Sequence, residues 1–488
     1  MKKLHFIFLI VIVYFFSSCK KNIETQPLST ITANSFWTTP DDVTGGLSGM
    51  YLQLRTPATS DLFFLGEGRS EVLTSATAGT TGLDKYYNNT LNVSNPGPNW
   101  IGFYATINAA NLLLKYVPKV NFTNQDTKKS ALAQAYTMRA FVYFVLARSW
   151  GGVPIRLEPT ESYNPATIQA ARSGKADVFK LIKSDLDSAI ALFPNNNIDA
   201  GRIAWSKPAA NALKGDVYLW TGKLLNGGTA DLNIALAALN ESQTSNAKLL
   251  PNYSDIFNYN NKTNAEIMMG VRFQLNDGAS NNYWANMFVR VISNVSAATL
   301  TMIGTLGSSP AENIMQITKG VRDQYTLDDQ RRAGTYYEIY DNSNNYFTSI
   351  TTKGAGVVNG GLRSFFTDVI IYRYADVLLM KAEVKNALGQ DPSVEINLVR
   401  QRAYGQNYGN HIFVNGSRDQ NDAAILKERL LELCTEGKRW WDLIRFGQVF
   451  NLVPVLKGRD ADTYLLLFPV GQTIISLEPL VTENPGWK

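Results

Sequence analysis

Helical periodicity at both ends of the chain limits the possible folds most strongly. In the segment 131–155, "ALAQAYTMRAFVYFVLARSWGGVPI", apolar residues recur at helical intervals, and two glycines and a proline supply a stop. Comparable patterns cover 41–55, 100–120, 176–194, 206–225, 372–389, 391–405 and 422–447. Helix pairs separated by short turns are typical of a repeat stack, although no single period aligns them. The sequence therefore predicts a mostly α protein with a helical frame at about 36–57, 100–225 and 372–488.

Two segments interrupt this frame, at about 58–99 and 245–371. In both, Asn, Ser, Thr and Gly break the apolar runs into short pieces, which favours loops over long helices. We interpret them as loop-rich insertions into one domain that spans 36–488.

The front of the chain is predicted to be a targeting segment. Two lysines precede a run from Leu4 to Phe16 that is almost entirely apolar. This run is too short to cross a bilayer and fits the core of a secretory signal. Cys19 follows two serines, at the position where a thiol can be acylated after cleavage. We predict a lipoprotein signal at 1–18 and a lipidated tether at 19–35; the alternative is a plain signal peptide with an incidental cysteine.

Composition argues against several kinds of chemistry. Removal of 1–18 lowers the formal net charge from +5 to +3, because that segment holds two lysines and no acid, and a balance this weak gives no support to nucleic-acid binding. With Cys19 acylated, Cys434 is the only free thiol of the mature chain, so no internal disulfide can form. It keeps one histidine, His411, in a loop-like segment, which excludes a multi-histidine zinc site and favours a surface residue over a catalytic one. We therefore predict neither a metal nor a cofactor.

A dense array of opposite charges occupies 426–447. Residues three or four apart share a helix face, so Glu432 and Glu436 repel each other unless cations lie between them. Lys438, Arg439 and Arg445 are the nearby candidates. One interpretation is a catalytic carboxylate pair; the other, favoured by the interleaved tryptophans, is a structural ion-pair network. The predicted network comprises Glu428, Glu432, Glu436, Arg439, Asp442 and Arg445, with no catalytic residue.

Aromatic residues in the insertions are candidates for sugar binding. An aromatic ring can cover the apolar face of a pyranose, while amides and arginines bind its hydroxyls. Tyr283 and Trp284 are the strongest candidates, because Asn and Gly surround them and leave little local core to join. Trp100 is weaker, because it starts a helix whose apolar residues can hold it in the frame. The predicted glycan-binding residues are Tyr86, Tyr87, Trp100, Asn282, Tyr283, Trp284 and Tyr336; the alternative for each ring is that it packs inside its own loop.

Several motifs occur along the chain in a characteristic order. They are "FWTTPDDV" at 36–43, "MRAFVYFVLARSWGGVPI" at 138–155, "YRYADVLLMKAEVKNALG" at 372–389, "LKERLLELCTEGKRWWDLIRFG" at 426–447 and "FPVGQTIISLEPLVTENPGW" at 468–487, together with the Phe-Ser-Ser-Cys lipobox. This set resembles the SusD/RagB family of outer-membrane nutrient-binding lipoproteins over nearly the whole chain. Lys438 stands where the family usually has His, a departure that concerns the framework.

The resemblance implies tetratricopeptide-like helix pairs that form a superhelical scaffold below a loop-rich binding face. It implies a lipid anchor in the cell outer membrane, facing the exterior, and a SusC-like TonB-dependent barrel transporter as partner. The implied activity is capture of an oligosaccharide ligand, so the protein is expected not to be an enzyme. Two alternatives stay open: capture of peptides, as the RagB name suggests, and a glycoside hydrolase, which needs two carboxylates about 5–10 Å apart in a cleft.

Overall fold

The computed structural model describes residues 36–79, 82–162, 164, 168–244, 246–289, 295–303 and 312–488, apart from the side chains of residues 282, 302 and 303. The predicted signal, Cys19 and the tether lie outside the described residues. In the described part the helices are long and the strands short. The prediction of a mostly α fold is confirmed.

The frame consists of helices α1–α10. Their bounds are Pro40–Ala58 (α1), Ile101–Tyr116 (α2), Gln125–Trp150 (α3), Lys175–Leu192 (α4), Lys207–Leu224 (α5), Gly228–Ser242 (α6), Tyr374–Ala387 (α7), Ser393–Tyr404 (α8), Arg418–Leu433 (α9) and Arg439–Arg445 (α10). The helices pack in consecutive groups: α1 with α2, α3 with α4, α5 with α6, and α7 with α8 and α9. Contacts of α2 with α3, of α4 with α5 and of α6 with α7 join these groups into one stack.

Helix α6 extends the frame beyond its predicted end at 225. Its Leu232, Ala235 and Leu239 are buried and lie on one helix face. Helix α5 approaches this face closely through Gly215, where an added Cβ would lie 2.5 Å from the Leu239 side chain. The frame therefore continues through α6, close to the predicted start of the second insertion at about 245.

The pattern at 422–447 forms two helices rather than one. The chain leaves α9 at Cys434 and enters α10 at Arg439. Thr435 and Gly437 between them have φ angles of 63° and 72°, in the left-handed region that a continuous helix cannot contain. The carboxylate of Glu67 fixes this break, because it accepts hydrogen bonds from the backbone N–H groups of Thr435 at 2.9 Å and Lys438 at 3.0 Å.

Short strands organise the insertions. They are Leu73–Ser75 (β1), Ile267–Val271 (β2), Met315–Ile317 (β3), Tyr336–Tyr340 (β4), Tyr346–Thr351 (β5), Val357–Asn359 (β6), Leu362–Ser364 (β7) and Val369–Arg373 (β8). They pair antiparallel as β1–β3, β2–β8, β4–β5 and β6–β7. The β1–β3 pair joins the first insertion to the second. Strand β8 takes up residues 372 and 373, so α7 begins two residues later than the pattern at 372–389 predicts.

Short helical segments lie between the strands. The α-helical ones are Asp61–Phe63, Asp84–Tyr87, Ala297–Ile303, Lys319–Arg322 and Arg331–Thr335, with Val449–Leu452 and Gln472–Leu477 near the C-terminus. One main core runs through frame and insertions together, and Trp150, Trp205, Trp220 and Trp440 are among its most deeply buried side chains. No described helix combines the length and the apolar character that a bilayer crossing requires.

Candidate ligand-binding site

The rings that the sequence favoured most as sugar platforms are buried. Tyr283 is 4% exposed and Trp284 is 3% exposed. Tyr283 stacks on Phe63 with ring centroids 4.3 Å apart, and Trp284 lies so close to Gly354 that a Cβ there would be 1.8 Å from the indole. The expectation that this pair is exposed is wrong, because residues distant in the sequence supply the packing. The side chain of Asn282 lies outside the described part of the chain.

The remaining candidate rings are enclosed as well. Tyr86 stacks on Phe64 at 4.2 Å, and Trp100 meets Trp150 edge to face at 5.9 Å. Tyr336 donates its phenol hydrogen to a backbone carbonyl at 3.0 Å. The prediction that these rings face a ligand is wrong, because all four are buried and none offers an open face; they are Tyr86, Tyr87, Trp100 and Tyr336.

The acidic residues of α9 and the following break form a buried ion-pair network. Glu432 accepts hydrogen bonds from Arg373 at 2.6 Å and Arg331 at 3.4 Å, and from Arg402. Glu436 accepts two hydrogen bonds from Arg373, both at 2.8 Å. These arginines lie on β8, in the second insertion and on α8. The network therefore ties the insertion to the frame.

Arg439 and Arg445, which the sequence suggested as partners of Glu432 and Glu436, pair with other carboxylates. Arg439 contacts Glu71 at 2.6 Å. Arg445 contacts Glu383 at 2.8 Å and Asp442 at 2.9 Å. The six predicted network residues all take part in ion pairs, and all are buried except Glu436, which is half-buried; they are Glu428, Glu432, Glu436, Arg439, Asp442 and Arg445.

Nearby cations keep two of the buried acids, Glu432 and Glu383, ionised. Burial alone would raise the pKa of Glu432, but its three arginines outweigh that effect and hold the pKa below the ordinary range. Burial would also raise the pKa of Glu383, but the nearby cations Arg445 and Lys223 have the larger effect and lower this pKa to about 2. A carboxylate that is ionised, enclosed and paired has no access to a substrate. This arrangement supports the structural interpretation over a catalytic one.

A groove with exposed aromatic and polar groups lies on the outer side of the second insertion. We call it the tyrosine groove; its volume is about 450 Å³, and it is lined by Thr74, Gln316, Lys319, Arg322, Asp323, Glu338, Tyr340 and Tyr346. Tyr346 is 40% exposed, and Tyr340 is half-buried. Their rings meet edge to face with centroids 6.2 Å apart. An edge-to-face pair with open surface is a rigid apolar platform.

The β4–β5 hairpin positions these two rings. Tyr340 and Tyr346 are cross-strand partners at its end. Asp341 closes the turn between them, because its carboxylate accepts hydrogen bonds from the N–H groups of Ser343 at 2.9 Å and Asn345 at 2.8 Å. From the other side, the N–H of Tyr340 donates to Thr299 Oγ1 at 3.2 Å. The platform is thus held on both edges.

The polar groups around the rings are oriented by one another. Tyr340 donates its phenol hydrogen to Glu338 at 2.9 Å, and Arg322 donates to the same carboxylate at 3.0 Å. The guanidinium of Arg322 also lies 4.7 Å from the centroid of Tyr346, and Tyr346 hydrogen-bonds Gln316. Burial raises the pKa of Tyr346, so its phenol stays protonated at neutral pH. The groove combines ring surface with aimed donors and acceptors.

The sequence located this site only in part. From the β4–β5 hairpin the sequence predicts only Tyr336, which lies at the buried start of β4. A better signal is the two-residue alternation of a strand, which places Glu338 and Tyr340 on one face. Arg322 and Gln316 gave no local signal, because β3 and the helix after it reach the groove only through tertiary packing.

Other reactive groups give no alternative site. Among the described residues, no cluster of three or more His, Cys, Asp and Glu could hold a metal ion. His411 stacks on Tyr404 at 3.6 Å, and its Nε2 lies 2.8 Å from Asp328. Cys434 is buried, and burial raises the pKa of its thiol to about 12.

Comparison with known proteins gives the class of the chain. A model of the SusD family matches residues 269–487, and a family model described as starch-binding associating with outer membrane matches residues 51–219. The structure of NanU from B. fragilis is 30% identical, with a TM-score of 0.81 over 95% of this chain and 99% of that one. The chain belongs to the SusD family, as its motifs predicted.

Two further relatives illustrate the range of this similarity. SusD-like protein P38 of Formosa agariphila is 27% identical over 96% of this chain and 95% of its own length. A laminarin-binding SusD-like protein shares the fold, with a TM-score of 0.74, 22% identity and coverage of 92% of this chain and all of the other.

Proposed function

We propose that this protein is a non-catalytic surface lipoprotein that captures oligosaccharide in the tyrosine groove and passes it to a SusC-like TonB-dependent transporter. Family membership supports glycan capture. The observation that carries the proposal for this groove is the exposed face of Tyr346 beside Tyr340, within a rim of amide, carboxylate and guanidinium groups. An exposed ring face suits the apolar face of a pyranose, and the polar rim suits its hydroxyls.

A glycan and peptide panel tests the activity. Purified protein is incubated with immobilised starch, laminarin, other polysaccharides and a peptide mixture, and both retention and release of reducing ends are measured. We expect retention on one or more glycans and no release of reducing ends. Retention of peptides alone would replace glycan capture by RagB-like peptide capture, and accumulation of reducing ends would indicate a glycoside hydrolase.

A pair of variants tests the groove itself. Tyr346→Ala removes the exposed ring face, and a ring of this kind at the centre of a site contributes about 2 kcal/mol, roughly thirtyfold in affinity. The matched control is Phe347→Ala, because Phe347 is 50% exposed but does not line the groove. Calorimetry on the retained glycan should show the loss for Tyr346→Ala alone. Equal affinities of the two variants would place the site elsewhere.

The anchor and the transporter are tested in cells of the source organism. Cys19→Ala should abolish incorporation of labelled palmitate and release the protein from the outer-membrane fraction. Purification of the wild-type protein from detergent-solubilised membranes should recover a TonB-dependent barrel. Membrane retention of the Cys19→Ala protein would refute the lipid anchor, and recovery of the protein alone would refute the stable transporter complex.

A further inference from the structure

A second, larger groove lies directly beside the tyrosine groove. Its volume is about 760 Å³. Its walls are Glu71, Thr318, Gly320, Val321 and Gln324 on one side and Asp419, Asp422, Ala423, Leu426 and Lys427 of α9 on the other, with Arg439, Phe446, Gln448, Leu452 and Pro454 completing the lining. No described residue lines both grooves. We call it the α9 groove.

One helical turn separates the two grooves. Lys319, Arg322 and Asp323 face the tyrosine groove, as residues three and four apart on one helix face do. Gly320 and Gln324 of the same turn face the α9 groove. A helix is about 10 Å across with its side chains, so the grooves are separated by the length of a few sugar units.

The surface of this turn between the two grooves carries no side chain at its exposed position Gly320. Gly320 is exposed, and a Cβ added there would meet no atom within 4 Å. Gly320 itself therefore contributes no side chain that would obstruct a chain leaving the tyrosine groove. Lys319 and Asp323 flank the crossing point, with side chains 76% and 56% exposed.

The α9 groove offers the groups that a sugar chain requires. Gln324 and Gln448 supply amides, and Asp419 and Asp422 supply carboxylates. Leu452 is 39% exposed and provides apolar surface. The carboxylate of Glu71, which pairs with Arg439 at 2.6 Å, completes this polar wall.

We infer that the α9 groove is a second subsite, which binds the continuation of the same glycan chain after it crosses the turn at Gly320. This inference rests on the proposed function. Its consequence is that the ligand is a polymer fragment long enough to fill both grooves, rather than a mono- or disaccharide. Because the second contact is intramolecular once the first has formed, affinity rises steeply with chain length.

The first experiment is calorimetry with a size series of the glycan retained in the panel, starting with maltooligosaccharides and laminarioligosaccharides. The octasaccharide should bind wild type at least about tenfold more tightly than the tetrasaccharide, a threshold below the roughly hundredfold or larger gain that two linked contacts can give. Gly320→Leu places a bulky side chain between the two grooves, at a helical position with open space. It should remove the gain with chain length while the tetrasaccharide affinity stays unchanged. Gly320→Ala is the matched control and should keep most of the gain.

A second pair of variants acts inside the α9 groove. Gln324→Ala combined with Lys427→Ala removes two polar lining groups and should also reduce the octasaccharide gain; Lys180→Ala, an exposed lysine on α4, controls for the lost charge. If wild type shows no gain with length, or if both groove variants keep it, the inference is overturned while glycan capture stands. If no glycan binds at all, the proposed function itself has failed.

Discussion

The second insertion contributes to two regions that look alike in the sequence and differ in the structure. At its contacts with the first insertion and the frame, Tyr283, Trp284 and Arg373 are buried against residues distant in the sequence. At the tyrosine groove, Tyr346 and Lys319 are exposed. Both regions contain tyrosine next to Asn-rich segments and arginine next to carboxylates. The difference shows that the neighbours from distant parts of the chain, and not the local composition, decide which rings stay available for a ligand.

The largest effect is expected where a buried charge loses its partner. Arg373 is 1% exposed and pairs with Glu266, Glu432 and Glu436. Arg373→Ala should lower the free energy of unfolding by about 3–5 kcal/mol, because the carboxylates stay buried with fewer cations. Urea unfolding measures this loss. Arg332→Ala, which removes a more exposed arginine paired with Glu338, serves as control, and an equal shift in both variants would contradict the comparison.

The second prediction concerns the buried rings. Trp284→Ala should lower the free energy of unfolding by about 3–5 kcal/mol, since it leaves a large cavity against Phe63 and Gly354. The fraction that stays folded should bind glycan as wild type does. Thermal unfolding and calorimetry at low temperature measure the two effects. A stable Trp284→Ala protein that no longer binds glycan would restore Trp284 as a ligand contact.

The helical frame was predictable because its signals are local. Each long helix carries its own periodicity, and caps such as the Thr39–Asp42 pair at α1 lie within one turn. The candidate site was not predictable to the same degree. Trp284 is covered by Phe63 and Gly354, and Glu432 is neutralised by arginines from three other segments, so no local window contains these contacts. The chain sequence shows which residues can stack or pair, but the choice of partner depends on the tertiary fold.

Acid pH should weaken the ion-pair network of the frame, whereas the phenol rings of the tyrosine groove do not change their protonation. The pKa of Glu383 is about 2 in the folded protein and about 4.5 when unfolded, so between these values the unfolded state binds more protons. The contribution of Glu383 to the free energy of unfolding is therefore fully present above about pH 4.5. It decreases as the pH falls through this window, by up to about 3 kcal/mol in total. Urea unfolding at a series of pH values measures the slope. Glu383→Gln should reduce the slope, and an unchanged slope would show that Glu383 is not responsible.

The smallest effect separates stacking from hydrogen bonding in the tyrosine groove. Tyr346→Phe keeps the ring and removes the hydroxyl that bonds Gln316, so its cost to stability should not exceed about 0.5–1.5 kcal/mol. If the ring face is what binds a sugar, the glycan affinity of Tyr346→Phe should stay within a few-fold of wild type, whereas Tyr346→Ala loses most of it. Calorimetry on the two variants measures the difference. An equal loss in both variants would mean that the Tyr346 hydroxyl, which bonds Gln316 on β3, makes the essential contact with the glycan. The groove would then recognise its ligand by hydrogen bonds, and the open ring face that distinguishes Tyr346 from the buried rings would not contribute to binding.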